Sequence, residues 1–247
     1  MANTPSTEWR EIVDPDEEQR FGDYVAFLRT MQAKRSERYG PGRTLHRKPQ
    51  MALPATLTVL DDLPEPCRHG LFAAPATYDA RVRLSNGGPD VKPDTVPDIR
   101  GFAIKVLGVE GEGALGNGPT DCQDFLLINQ PAFVFGTGDN FARFMIARSR
   151  GGLSLLRFLV EWRGWWGAFG ALRKLQAMVA RPFTGFATQA FHSAAPIQCG
   201  PYAVRVRLEP ARDAAEISGE PNFGGDLERH LAAGALFVAL PGDHGNL

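Results

Sequence analysis

The sequence predicts an α+β fold in which an antiparallel sheet, or half of a barrel, is flanked by peripheral helices. Residues 44–135 consist of short β-like runs separated by turn residues. Helical patterns lie before and after that region, and none of the links between its strands is helical. Strands joined by short non-helical links pair with their neighbours in an antiparallel sense, which predicts this fold class.

A polar tail and one helix open the chain. Residues 1–15 are typical of a loose tail, and Asp14 or Asp16 can cap a helix that runs to about Arg38. The glycines and proline of residues 39–42 then end it. We expect the apolar face of this helix to dock against a core. That face consists of Phe21, Tyr24, Val25, Leu28 and Met31. We assign residues 1–40 to this tail and helix and residues 41–247 to one domain.

Alternating and apolar runs define the strands of that domain. The predicted strands are residues 55–60, 80–85, 99–107 and 125–129, with a glycine-rich turn at 111–118. A helix is predicted over 139–147, and a second helical region over 153–179 is interrupted near 164–170. The pattern then predicts a strand at 201–208, a helix at 227–233 and a final strand at 235–240.

Composition excludes several classes of function. The 247 residues include 27 basic and 28 acidic ones, so the basic excess of a nucleic-acid binder is missing. The three cysteines, Cys67, Cys122 and Cys199, form no Cys-x-x-Cys pair, which argues against a zinc ribbon or a disulfide framework. Reduced thiols and an acidic N-terminus without a secretory signal predict a cytoplasmic protein.

The most apolar stretch, residues 153–169, contains three charged residues, which disfavours a membrane-spanning helix. It also contains Trp162, Trp165 and Trp166. This mixture of aromatic and basic side chains could lie on a membrane surface. We expect it instead to pack over the sheet, and we therefore expect no membrane partner.

Several polar residues stand where chemistry could occur. His46 lies in a basic cluster just before the first predicted strand, which is either a solvated corner or a site for an anionic ligand. Arg83 and Ser85 share one face of their strand because strand side chains alternate. Asn129 closes an apolar run, where it is either a functional amide or a turn residue. No phosphate-binding loop, Gly-x-Ser-x-Gly or His-Glu-x-x-His motif occurs.

Taken in chain order, these segments resemble the catalase family, in particular its small catalase-related haem proteins. The similarity covers about residues 43–240 and fades between 150 and 190. The matching segments are Arg43-x-x-His46, Val82-Arg83-Leu84-Ser85-Asn86, Asp98-x-Arg100-Gly101-Phe102-Ala103-Ile104-Lys105, Asn129-x-Pro131-x-Phe133 and the following helix with Phe141. The order and spacing of five such segments make the resemblance specific.

The resemblance implies a catalase-like antiparallel β-barrel that binds haem b. His46 corresponds to the distal histidine and Asn129 to the distal amide, while Ser85 orients the His46 ring. Arg43 and Arg83 would pair with the haem propionates, a task suited to guanidinium groups. Phe141 would form an aromatic wall of the pocket.

The implied activity is haem-dependent decomposition of hydrogen peroxide or an organic hydroperoxide, of the catalase or peroxidase type. A neutral imidazole can take a proton from one peroxide oxygen and return it to the other. An amide donor stabilises the polarised O–O bond. The haem iron carries the redox chemistry.

The sequence departs from the family in its tyrosines. The family's iron is held by a tyrosinate in an Arg-x-x-x-Tyr pattern near the C-terminus. The tyrosines are Tyr24, Tyr39, Tyr78 and Tyr202, and none has that context at that end of the chain. The metal ligand is therefore unknown.

Three explanations of this departure stay open. The chain is a C-terminally truncated member with an incomplete barrel, or it binds haem through another residue, or it is a non-catalytic remnant or interaction protein without haem. The first is favoured. An open strand edge near residues 235–240 also predicts either self-association into a homo-oligomer or poor solubility.

Overall fold

A seven-stranded antiparallel sheet organises the structure, a computed structural model that describes residues 7–113, 116, 118–180, 182–193, 195–210, 222–232 and 237–241. The strands of this sheet, in spatial order, are β1 (Pro49–Val59), β2 (Ala76–Asn86), β3 (Arg100–Glu112), β4 (Pro119–Ile128), β5 (Phe191–Ser193), β8 (Val206–Pro210) and β9 (Phe237–Pro241). Strands β6 (Ile197–Cys199) and β7 (Tyr202–Val204) form a separate hairpin. Among the described residues, β1 and β9 each have a single partner strand, so the barrel is incomplete, as predicted.

Four α-helices in the described part of the chain surround the sheet. They are α1 (Glu17–Tyr39), α2 (Gly138–Arg150), α3 (Gly152–Val179) and α4 (Phe223–Ala232). Two short 3-10 helices, Glu65–Cys67 and Gly70–Phe72, connect β1 to β2. The predicted α+β class with peripheral helices is confirmed.

Strands β1 to β4 pair in chain order, and their alternation separates two faces of the sheet. One face carries the main core, in which Val82, Leu84, Phe102, Val106, Phe125 and Leu127 are buried. The opposite face carries Ser85, Gly101 and Ile128, which lie side by side because Ser85 is in register with Gly101 and Gly101 with Ile128. A register slip of one residue would exchange the two faces.

Helices α2 and α3 cover this second face with an aromatic cluster. The cluster buries Phe135 and Phe158, and the ring of Phe158 stacks on Trp162 with centroids 5.9 Å apart. Helix α2 is capped by Thr137, whose Oγ1 accepts a hydrogen bond from Asn140 N at 3.2 Å. This side-chain cap satisfies one of the free N–H groups of the first turn.

The interruption predicted in the long helical region is confirmed at Gly164, where φ is 70° and ψ is 171°. This break means that residues before and after Gly164 do not share one helical face. Trp162 packs in the aromatic cluster, whereas Trp165 is 75% and Trp166 97% exposed. The expected packing over the sheet is therefore wrong for these two tryptophans. None of the helices in the described ranges is long and apolar enough to cross a bilayer.

The apolar face of α1 docks less completely than predicted. Met31 is buried, but Phe21 is 38% and Val25 45% exposed. A polar contact supports the helix instead, because the hydroxyl of Tyr24 donates to Asp139 Oδ1 on α2 at 2.5 Å. Burial first, and then the hydrogen bond to the Asp139 carboxylate, raise the pKa of Tyr24 to about 12.

The C-terminal strands differ from the prediction. The prediction of a single strand over 201–208 is wrong. Two strands, β7 and β8, lie there on either side of Arg205, and they belong to different sheets. Strands β5 and β6 were not predicted, since three residues are too short to show a period of two. The final helix and strand are confirmed, with bounds shifted to Phe223–Ala232 and Phe237–Pro241.

Candidate functional site

A cavity of about 710 Å³ lies between the second face of the sheet and helices α2 and α3. This volume is in the range of small-molecule sites. Five of the six residues that the sequence singles out line the cavity: Arg43, His46, Arg83, Ser85 and Phe141. The sixth, Asn129, is not among the lining residues, although its neighbour Ile128 is.

The imidazole of His46 is held by contacts to strand β2 and to the loop that follows it. Its Nδ1 lies 3.1 Å from Ser85 Oγ. The backbone N–H of His46 donates to Gly87 O at 3.0 Å, and its carbonyl accepts from Arg83 Nη2. The residue has a φ of 51°, in the left-handed region that side chains rarely adopt. The surrounding hydrogen bonds therefore maintain a conformation that costs on the order of 1 kcal/mol.

Gly101 on β3 provides the surface on which the His46 ring rests. A Cβ atom at this position would lie 2.5 Å from His46 Nδ1 and 3.1 Å from Ser85 Oγ. Any side chain here would therefore displace the ring. This role of Gly101 was not predicted, although a glycine inside a strand is a signal of close approach.

Burial and neighbouring cations disfavour the charged form of the His46 imidazole. Its pKa is lowered first by burial and then by the guanidinium of Arg83, with a smaller effect from Arg43 and an opposing one from Asp98. Among the described residues, the ring nitrogen Nε2 has no hydrogen-bond partner. When Nδ1 carries the proton and donates to Ser85 Oγ, Nε2 is available to accept one.

Asn129 closes the end of β4 against the start of β3. Its Oδ1 accepts from the backbone N–H of Arg100 at 2.8 Å, and its own N–H donates to Arg100 O at 3.1 Å. Only the amide oxygen can accept a hydrogen bond, so this contact fixes the orientation of the carboxamide. The Nδ2 group of Asn129 therefore remains available to donate a hydrogen bond.

The charged residues of the cavity favour an anionic ligand. Three arginines, Arg43, Arg83 and Arg148, line it against one carboxylate, Asp98. Burial lowers the pKa of Arg83 most, and repulsion from the nearby Arg43 lowers it further. An anion between them would relieve this repulsion and accept hydrogen bonds. Arg148 had no role in the sequence analysis because its position depends on the packing of α2.

Aromatic rings form the apolar wall opposite the sheet. The ring of Phe141 lies 5.0 Å from that of Phe133 and 6.0 Å from that of Phe135, and all three line the cavity. Val134 also lines it. The cavity thus combines an apolar body with cations at Arg43 and Arg83 and the imidazole of His46.

No protein-family model and no curated protein matches the sequence. Solved structures do match. A fungal catalase aligns with a TM-score of 0.58 and 17% identity, over 99% of this chain and 50% of its own. Catalase A from Saccharomyces cerevisiae aligns with a TM-score of 0.56 and 16% identity, over 99% of this chain and 52% of its own. A bacterial catalase aligns with a TM-score of 0.54 and 17% identity, over 98% of this chain and 48% of its own. The chain has a catalase-related fold.

The resemblance seen in the sequence is thereby confirmed for the fold. The chain spans about half the length of these catalases. At identities of 16–17% the likeness concerns the fold alone, so activity and cofactor are matters of proposal.

Because the fold is catalase-related, haem is the cofactor to consider. The residues that line the cavity can be compared with the groups that a haem would need. The side with His46 and Gly101 fits, since it offers an apolar slot, a ring that can approach a flat ligand, and arginines for two carboxylates. The opposite side offers no tyrosinate. All four tyrosines lie in described residues and none lines the cavity. Among lining residues, His46 and Met145 have side chains of the kinds that ligate haem iron.

Proposed function

We propose that the cavity binds haem b and that the protein decomposes hydrogen peroxide or an organic hydroperoxide. The observation that carries this proposal is the imidazole of His46, which Ser85 and Gly101 hold inside an apolar cavity. The catalase-related fold supports it. A buried histidine without a charge is suited to accept a proton rather than to bind an anion.

Arg43 and Arg83 would bind the two propionate groups, with Arg148 as a third cation of the same cavity. Phe141 and the rings beside it would contact the flat apolar part of the cofactor. Haem, when bound, supplies the electrons that break the O–O bond of a peroxide.

The protein's own contribution is the movement of one proton. Nε2 of His46 accepts the proton from one peroxide oxygen and returns it to the other, which then leaves as water from hydrogen peroxide or as an alcohol from an organic hydroperoxide. Ser85 and Gly101 position the ring throughout. Asn129 would act from outside the cavity, because its hydrogen bonds to Arg100 fix the end of β4 beside Ile128, which lines the cavity.

Reconstitution with haem tests this proposal. We expect the purified full chain to give a Soret band with added haem and to consume peroxide faster than free haem. His46→Ala should retain the Soret band and lose peroxide turnover by a factor of about 10²–10⁴, the usual contribution of a general base. His192→Ala is the matched control, because His192 on β5 is also half-buried but does not line the cavity. Turnover by His46→Ala equal to that of the wild type would disprove the mechanism.

A second function is favoured by the absence of every tyrosine from the cavity lining. The chain would then bind an apolar anion or a protein partner without catalysis. This alternative predicts no Soret band with added haem and no peroxide consumption. The same reconstitution therefore separates the two functions.

A further inference from the structure

Two of the three cysteines meet at a site away from the cavity. Cys67 ends the 3-10 helix Glu65–Cys67, and Cys199 ends strand β6. Although they are 132 positions apart, Cys199 Sγ lies 4.0 Å from the carbonyl oxygen of Cys67. The two thiols are also close enough to interact electrostatically, since the neighbouring Cys67 raises the pKa of Cys199. Both thiols are free and half-buried.

Contacts on both sides of the pair hold it in place. The ring of His69 packs against that of Tyr202 on β7, with centroids 5.7 Å apart. The turn between β6 and β7 approaches so closely that a Cβ on Gly200 would lie 2.3 Å from His69 Cγ. On the other side of that turn, Trp9 Nε1 donates to Pro201 O at 2.8 Å. These contacts are all non-covalent, and within the described part of the chain the β6–β7 hairpin pairs with no strand of the main sheet.

We propose that Cys67 and Cys199 form a reversible disulfide under oxidising conditions, which ties the β6–β7 hairpin to the connection between β1 and β2. With hydrogen peroxide as oxidant, one thiolate attacks a peroxide oxygen, the O–O bond breaks and hydroxide leaves, giving a sulfenic acid. The second thiol attacks that sulfur, the S–S bond forms and water leaves. Two thiols and one peroxide thus give one disulfide and two waters. The reaction needs no haem and is independent of the proposed function.

The surroundings of the pair favour a slow, structural disulfide over a reactive thiol. Burial raises the pKa of Cys67, and burial together with the neighbouring Cys67 raises that of Cys199, which the backbone N–H of His69 partly opposes. Few thiolates therefore exist at neutral pH, and the attacking form is scarce. The pair stays reduced in a reducing compartment, in agreement with the sequence analysis, and closes only when an oxidant persists.

Thiol mapping of the full chain tests the proposal. The protein is treated with diamide, which takes up two electrons and two protons as two thiols join, and free thiols are then alkylated and located by mass spectrometry. We expect a peptide linked through Cys67 and Cys199, with Cys122 alkylated. Oxidation should raise the melting temperature by several degrees, because the bond closes a long loop.

Cysteine variants provide the controls. Cys122→Ser should show the same linkage and the same rise in melting temperature, since Cys122 lies on β4 beside Lys105. Cys67→Ser and Cys199→Ser should show neither, while melting like the wild type under reducing conditions. Three alkylated cysteines in the oxidised wild type, or a linkage through Cys122 or between two chains, would overturn the proposal. The wild-type map decides the matter even if one variant fails to fold.

Discussion

The imidazole of His46 rests on bare strand backbone, and the space for it exists because residue 101 has no side chain. Gly101→Ala would place a Cβ 2.5 Å from His46 Nδ1. We expect this overpacking to lower the free energy of unfolding by about 1–3 kcal/mol and to displace the ring. Peroxide turnover of the haem-reconstituted protein should fall with it.

Gly111 is the matched control for this change. It lies on the same strand, and a Cβ there would meet nothing within 4 Å. Gly111→Ala should change the free energy of unfolding by less than about 0.5 kcal/mol. Urea denaturation of both variants checks the expectation, and equal effects would show that the His46 ring does not depend on Gly101.

The charge state of His46 predicts how stability depends on pH. In the unfolded chain the imidazole gains a proton near pH 6.5, whereas burial and Arg83 lower its pKa in the folded protein. Between these two pKa values the unfolded state binds more protons, so the free energy of unfolding falls as pH falls below 6.5. His46→Gln should lose less stability than the wild type between pH 7.5 and 5. Urea denaturation at both pH values measures this, and parallel losses would contradict it.

Much of the site could be predicted from the sequence because strand periodicity already placed Arg83 and Ser85 on one face. The role of Gly101 could not be predicted in this way, since it depends on the loop in which the backbone N–H of His46 donates to Gly87 O. Neither could the position of Asn129 outside the cavity lining, which follows from its backbone hydrogen bonds to Arg100.

At the scale of elements, helix α3 shows two environments along one segment. Phe158 is buried and stacks on Trp162, whereas Phe169, beyond the break at Gly164, is 74% exposed. Phe158→Ala should lower the free energy of unfolding by about 3–5 kcal/mol, because it leaves a hole in the aromatic cluster. Phe169→Ala should change it by less than about 0.5 kcal/mol. Denaturation curves that shift equally would contradict the observed packing.

The elements predicted with the correct type are those with many periods of their pattern. Helix α1 and strands β2, β3 and β4 belong to this group, and only their bounds differ. The division between β7 and β8 lay beyond prediction, because Val204 and Val206 fit one alternating run and only tertiary pairing separates them. The exposure of Trp165 was missed for a related reason, since it depends on the backbone angles of Gly164.

At the scale of the whole molecule, strand β1 is an edge of the open sheet. Pro54 lies within it, exposed and opposite Arg81 of β2. Proline lacks the N–H that a further strand would need, so it protects the edge from pairing. We expect Pro54→Val to increase concentration-dependent self-association in sedimentation velocity experiments. Pro93→Val is the control, because Pro93 is exposed and lies outside any strand. This variant should sediment like the wild type. Identical sedimentation of both variants would show that this edge is protected by other means.

The order of the strands has a consequence for biosynthesis. Every group that holds the His46 ring lies before residue 130, and β1 to β4 pair in the order in which they are made. Chains fold from their N-terminus during synthesis, at about 5–20 residues per second. The nascent sheet would therefore expose the imidazole to solvent until α2 and α3 emerge and cover it.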